Sequence, residues 1–149
     1  MPTYRLKVYV YITNGISLLV FRHPDFPEAG IQVPGGSVEP GEPLVSASLR
    51  EAVEETGLSG LTDPQFLGVQ SYKFAPLDRD EVHQRYYYHF QLGGSQPATW
   101  RHYETNPSDR SPRPIAFEFY WVDLRGGDPE LIAELDAFLP RLKTRLGLR

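Results

Sequence analysis

From Gly36 to Leu58 the chain reads GSVEPGEPLVSASLREAVEETGL, and this segment constrains the fold more than any other. Pro43 suits the first position of a helix, where its missing N–H costs nothing, and Gly57 suits the left-handed position just past its end. Between them Glu51, Glu54 and Glu55 stand at i, i+3 and i+4, so an α-helix gathers them within about one turn. Val45, Leu49 and Val53, flanked by Ala52, are expected to form the opposite stripe and to pack on a sheet. Three carboxylates held that close repel one another unless a cation lies between them. A hard divalent cation with oxygen ligands fits such a cluster, and phosphoryl or pyrophosphate transfer is the chemistry that most often uses one.

The 149 residues are expected to form one domain, 1–149, large enough for a substantial core. There are no cysteines, which excludes disulfides, thiolate metal sites and a cysteine nucleophile. Lys7 interrupts the N-terminal apolar stretch and no small-residue cleavage site follows, so a secretory leader is not expected. No apolar run is long enough to cross a membrane. These features lead to the expectation of a soluble, cytoplasmic protein. The net charge of −4 argues against a nucleic-acid-coating surface. A phosphate-bearing substrate is compatible with an acidic site when a metal bridges the two.

Tyr4 to Thr13 and Ile16 to Arg22 read as strands joined by a tight turn at Asn14-Gly15. His23 to Gly30 reads as a loop, and Ile31 to Val33 as a short strand ending at Pro34-Gly35-Gly36. Phe66–Phe74, Glu81–Leu92 and Ile115–Leu124 are further expected strands, the second carrying the run Tyr86-Tyr87-Tyr88-His89-Phe90. Gly93 to Pro114 reads as a long polar loop of the kind often used for function. A last helix is expected after Asp128-Pro129, with apolar positions Leu131, Ile132, Leu135, Phe138, Leu139 and Leu142, kinked or ended by Pro140. The order strands, helix, strands, helix predicts a mixed sheet with helices packed on it.

From Gly36 the spacing is five residues to Glu42, seven to Arg50-Glu51, then Glu54-Glu55 and Gly57-Leu58. This resembles the Nudix box, G-x5-E-x7-R-E-U-x-E-E-x-G-U with U aliphatic, and Ala52 in the first aliphatic slot is a small departure. The seven Gly, Glu and Arg positions would coincide by chance on the order of a few times per billion starting points. The resemblance implies an α/β/α sandwich with a central mixed β-sheet. It also implies Mg²⁺-dependent hydrolysis, with Mn²⁺ as a substitute, of a nucleoside diphosphate linked to another group. Carried over by position, Glu51, Glu54, Glu55 and the carbonyl of Gly36 are metal ligands, and one of the three glutamates doubles as the base for water. Arg50 is expected to orient the carboxylates, and Glu42 to serve a structural or metal-related role near the helix N-terminus.

Outside the box, Glu118 in FEFYW is a candidate additional carboxylate, with Glu104 a second choice. Arg22, with His23, is a candidate phosphate contact. In the run Trp100-Arg101-His102-Tyr103, Trp100, Arg101 and Tyr103 are candidates for substrate recognition, because an aromatic ring beside a cation suits a nucleotide. One face of the Tyr86–Phe90 run is a further candidate for stacking a base, whereas His83 and His89 read as structural. The expected partner is a small nucleotide or diphosphate substrate. A nucleic acid is expected only as a capped RNA end, and a homodimer is compatible with the family. A catalytically silent Nudix domain that only binds a nucleotide is the rival reading, and three retained carboxylates speak against it.

Overall fold

A computed structural model describes residues 2–73, 80–104 and 114–148. Its strands are β1 (Thr3–Asn14), β2 (Ser17–Arg22), β3 (Gly35–Ser37), β4 (Thr62–Lys73), β5 (Glu81–Gln91), β6 (Thr99–Glu104) and β7 (Ile115–Asp123), with helices α1 (Leu44–Thr56) and α2 (Leu139–Arg145). The strands form one sheet in the order β4-β5-β1-β2-β7-β6, with β3 alongside β1. Strands β1 and β5 run parallel and the other pairs are antiparallel, so the sheet is mixed as expected.

Strand β1 lies in the middle of the sheet, and its run Val8 to Ile12 is apolar on both faces because both are covered. On one face Val10, Ile12, Leu19, Phe21, Phe90, Phe117 and Phe119 pack around Ala52 of α1. On the other face Tyr11, Leu18, Val20, Val33 and Tyr87 pack against Leu135, Leu139 and Leu142. The result is the α/β/α sandwich. Among the described residues no helix is long and apolar enough to cross a membrane.

One irregularity of the sheet creates the site. The Asn14-Gly15 turn forms as expected, with Gly15 at φ 61°, but β1 pairs with β2 only at Thr13↔Leu18 and Asn14↔Ser17. Farther along, the same edge of β1 passes to β3, with Lys7↔Ser37, Val8↔Gly36 and Tyr9↔Gly35. The glycine segment thus enters the sheet as a strand and delivers the chain directly to α1.

Several expectations are corrected. Pro43 is the N-cap, with φ −61° and ψ 142°, one position before the first helical residue. Gly57 occupies the left-handed C-terminal position as expected, with φ 74°. Val45, Leu49 and Val53 are not the packing stripe: each is more than two-fifths exposed. The face against the sheet is Ala47, Ser48, Ala52, Glu55 and Thr56, whose small side chains let the helix come close. The expected strand at Ile31–Val33 is a single bridge, Phe21↔Gln32, and the strand proper is β3. Part of the expected long loop, Thr99–Glu104, is strand β6, so Trp100, Arg101 and Tyr103 lie on a strand; positions 105–113 and the Glu104 side chain are outside the described residues. The terminal helix starts at Leu139, and Pro140 sits in its first turn, where it begins the helix instead of breaking it. Ahead of it the chain makes a short 3-10 turn at Ile132–Glu134.

Candidate active site

The two glycines of β3 are required by close approach. A Cβ at Gly35 would stand 2.6 Å from the Val8 carbonyl oxygen and strike the Tyr9 ring, and one at Gly36 would stand 2.5 Å from Oε1 of Glu51. Only an unsubstituted backbone lets α1 seat its carboxylates against the strand. The Gly35 N–H donates to Oε1 of Glu55 at 3.2 Å, which explains why this glutamate is nearly buried, at 8 % exposure. Glu54 lies outward, its side chain 60 % exposed.

Arg50 organises the cluster. Its Nε and one terminal nitrogen hold Glu42 in a two-pronged pair, each at 2.8 Å. The other terminal nitrogen reaches Oε1 of Glu51 at 2.9 Å and Oε2 of Glu54 at 3.4 Å. A further bond to the Ser37 carbonyl oxygen at 3.1 Å ties the guanidinium to the glycine strand. The paired guanidinium, with the Glu39 N–H, holds the Glu42 carboxyl down to about 2, and Glu42 in turn raises the arginine's pKa. Arg50 thus bonds three of the glutamates at once, and Glu42 takes two of its nitrogens.

Among the described residues no three carboxylate or histidine side chains are gathered closely enough to hold an ion as they stand; Arg50 stands against three of the glutamates. The donor set still suits a hard cation. Glu51, Glu54, Glu55 and the Gly36 carbonyl supply oxygen alone, and the cradle at Gly36 fits a carboxylate and nothing bulkier.

The structure places the other sequence candidates in two groups. Glu118 lies on the sheet face opposite Phe117 and Phe119, as its parity required, and bridges Arg22 (2.7 Å) and Arg101 (3.3 Å). Those guanidiniums, Arg22 first, hold its carboxyl below the usual carboxylate range. Trp100 stacks on Phe119 with ring centres 5.3 Å apart and donates its indole N–H to the Thr56 carbonyl at 3.0 Å. With the ring N–H of His102, which donates to the Glu54 carbonyl at 2.8 Å, it clamps β6 to the C-terminal turn of α1. Tyr103 is half exposed. His23 packs edge-on against Phe21 and Phe117, and burial lowers its pKa.

Sequence reasoning missed two residues at this end of the sheet. Lys7, read only as an interruption in an apolar stretch, donates from Nζ to Oγ of Ser37 at 2.8 Å, one residue from the Gly36 cradle. The His102 clamp was also missed. A lone lysine within a strand of Val, Tyr and Ile was the available signal for the first; the second lies in the run Trp100-Arg101-His102-Tyr103, read for substrate recognition and not for packing on α1.

A family model described as NUDIX domain matches residues 3–138. Among solved structures, the chain is similar to a MutT NUDIX hydrolase from Burkholderia pseudomallei, with 22% identity over 94% of this chain and 98% of that one and a TM-score of 0.63. It is also similar to a MutT protein from Methanosarcina mazei Go1, with 21% identity, 98% and 94% coverage and a TM-score of 0.55. A NUDIX hydrolase from Nitrosomonas europaea matches at 22% identity, over 80% of this chain and 73% of that one, with a TM-score of 0.51. No curated protein sequence matches the chain. With the family match spanning nearly the whole chain, this protein belongs to the NUDIX domain family.

Proposed function

We propose that this chain, a Nudix hydrolase acting on pyrophosphate bonds, cleaves a nucleoside diphosphate linked to another group in a Mg²⁺-dependent reaction. The observation that carries the reading is the seating of Glu51 against Gly36 and of Glu55 against the Gly35 N–H, with Arg50 spanning Glu42, Glu51 and Glu54. A domain that only bound nucleotide would have no use for a buried carboxylate beside two others.

Glu51, Glu54, Glu55 and the Gly36 carbonyl are the residues that would hold Mg²⁺, or Mn²⁺ in its place. When bound, a divalent cation neutralises the pyrophosphate and lowers the pKa of water. The chain's own residues do the rest. Arg50 keeps Glu51 and Glu54 on one side of α1 at fixed spacing. Glu55, nearly enclosed and bonded by the Gly35 N–H, is the proposed general base that takes the water proton. Glu118, Arg22, Arg101 and Tyr103 are proposed to contact the remainder of the substrate from the β6–β7 side, with Trp100 as the packing beneath them.

A phosphate-release screen over nucleoside triphosphates, nucleotide sugars, dinucleoside polyphosphates and capped RNA ends, each with and without Mg²⁺, tests the proposal. Hydrolysis of at least one class that vanishes with chelator is expected. Metal-independent turnover, or none across the panel, would overturn it.

A further inference from the structure

Among the described residues most cationic side chains stand against a carboxylate. Arg5 meets Glu81, Arg22 and Arg101 share Glu118, and Arg50 meets Glu42, Glu51 and Glu54. Lys7, Arg85 and Arg141 depart from this, for their hydrogen-bond partners among the described residues are neutral, and of these Lys7 lies beside the glycine strand and Arg85 beside Lys7. Lys7 donates to Ser37 Oγ. Arg85, only 3 % exposed, donates to the Ala133 carbonyl at 2.6 Å and to Gln70 Oε1 at 3.3 Å. Its guanidinium lies 3.8 Å from the centre of the Tyr72 ring and 5.2 Å from that of Tyr9, and its buried Nε has no hydrogen-bond partner among the described residues.

These two cations are neighbours. The parallel register pairs Lys7 with Arg85 and, two residues on, Tyr9 with Tyr87; those tyrosines stack at 5.6 Å, so all four side chains share one face. On its other side Lys7 pairs with Ser37, next to the Gly36 cradle. Burial, with Arg5 and Arg85 opposing, lowers the Lys7 pKa, and Glu51 is the first carboxylate to act against that.

A structural role accounts for Arg85 in part, since it pins Ala133 in a left-handed conformation at φ 56° that a non-glycine residue rarely adopts. It does not account for a second cation placed beside it, where like charges repel. Two adjacent cations whose hydrogen bonds go to neutral groups, beside the Gly36 cradle, offer charged donors for an anion's oxygens.

We propose that Lys7 is a phosphate-binding residue, its ammonium contacting a phosphoryl oxygen of the substrate's diphosphate from the β1 side, with the buried Arg85 behind it as a positioning residue. The identity of the anion rests on the hydrolase reading above; the existence of the anion site does not.

The test is calorimetric titration of the full chain with inorganic pyrophosphate in the presence of Mg²⁺. Lys7→Met should weaken binding about tenfold, the scale of one charge-assisted hydrogen bond, and Lys7→Arg should retain it within about threefold. Arg85→Met, with its fold checked by circular dichroism, should weaken binding less than Lys7→Met, and Arg85→Lys should recover it. Wild-type protein that does not bind pyrophosphate, or Lys7→Met protein that binds it as wild type does, overturns the inference. Lys7-dependent binding by a protein that hydrolyses no diphosphate compound would keep this inference and remove the hydrolase reading, so the two failures are distinct.

Discussion

Replacing Gly36 by alanine separates function from folding at this site. The added Cβ would lie 2.5 Å from Glu51 Oε1, against the 3.4 Å at which ordinary contact begins, so the carboxylate must retreat by about 1 Å. Gly36 does not adopt a left-handed backbone, so the methyl group adds no φ strain. What yields is the end of a flexible side chain, together with the 2.9 Å bond from Arg50. Loss of one partly exposed ion pair is worth at most about 1 kcal/mol. A catalytic group misplaced by about 1 Å costs on the order of a hundredfold in rate, or about 2.7 kcal/mol of transition-state stabilisation. Gly36→Ala should therefore unfold in urea within about 1 kcal/mol of wild type while kcat/KM falls about a hundredfold. Steady-state hydrolysis and a urea titration measure both quantities. Full activity would refute the argument that Gly36 makes room for Glu51, and a stability loss above about 3 kcal/mol would show that the clash falls on the fold instead.

Gly68 should behave in the opposite way. It sits at φ +156° beside a β-bulge with the Phe138 ring against it, so Gly68→Ala should lower stability by about 2 kcal/mol in a urea titration with little effect on turnover of the folded enzyme. His89 is fully buried, accepts a bond from Arg145 Nε on Nδ1 at 3.1 Å and bonds Thr13 through Nε2. Burial and Arg145 push its pKa down to about 4. Between pH 6.5 and about 4 the unfolded chain therefore binds the extra proton, and stability falls as pH falls through that window, by up to about 3 kcal/mol; urea midpoints from pH 7 to 4.5 should show the slope, and His89→Gln should flatten it. Trp100→Phe removes the indole bond to Thr56 and should cost about 1 kcal/mol of stability; a changed substrate preference with unchanged stability would place that ring in the substrate site instead.

The parts of this protein that were readable from sequence are those dictated by local chemistry. Asn14-Gly15 can hardly do other than turn, Gly57 had to end α1, and the parity of Glu118 against Phe117 and Phe119 followed from strand geometry. The helix face misled because hydrophobicity was the wrong guide. Ala47, Ser48 and Ala52 pack inward for their small size, and Glu55 turns in because Gly35 offers an N–H, while Val45, Leu49 and Val53 remain at the surface. Strand β6 was hidden by its polar composition; it is held by pairing with β7 and by Trp100 on Phe119, neither visible in a single stretch of sequence. The juxtaposition of Lys7 and Arg85 depends on a parallel pairing between residues 78 positions apart, and no local pattern announces that. The local geometry of the box was therefore legible, and the charges arranged around it came from topology.

The central claim is that the α1 carboxylates seated on the glycine strand perform metal-dependent hydrolysis, and Glu55→Gln tests it most directly. The amide is nearly isosteric and its oxygen still accepts the Gly35 N–H, so folding should be preserved. It offers no base for a water proton and a poorer oxygen for a cation. Side-by-side turnover of wild type and Glu55→Gln on a diphosphate substrate with Mg²⁺ should show a loss on the order of a thousandfold with an unchanged unfolding midpoint. Turnover within a few-fold of wild type in the folded variant would contradict the account.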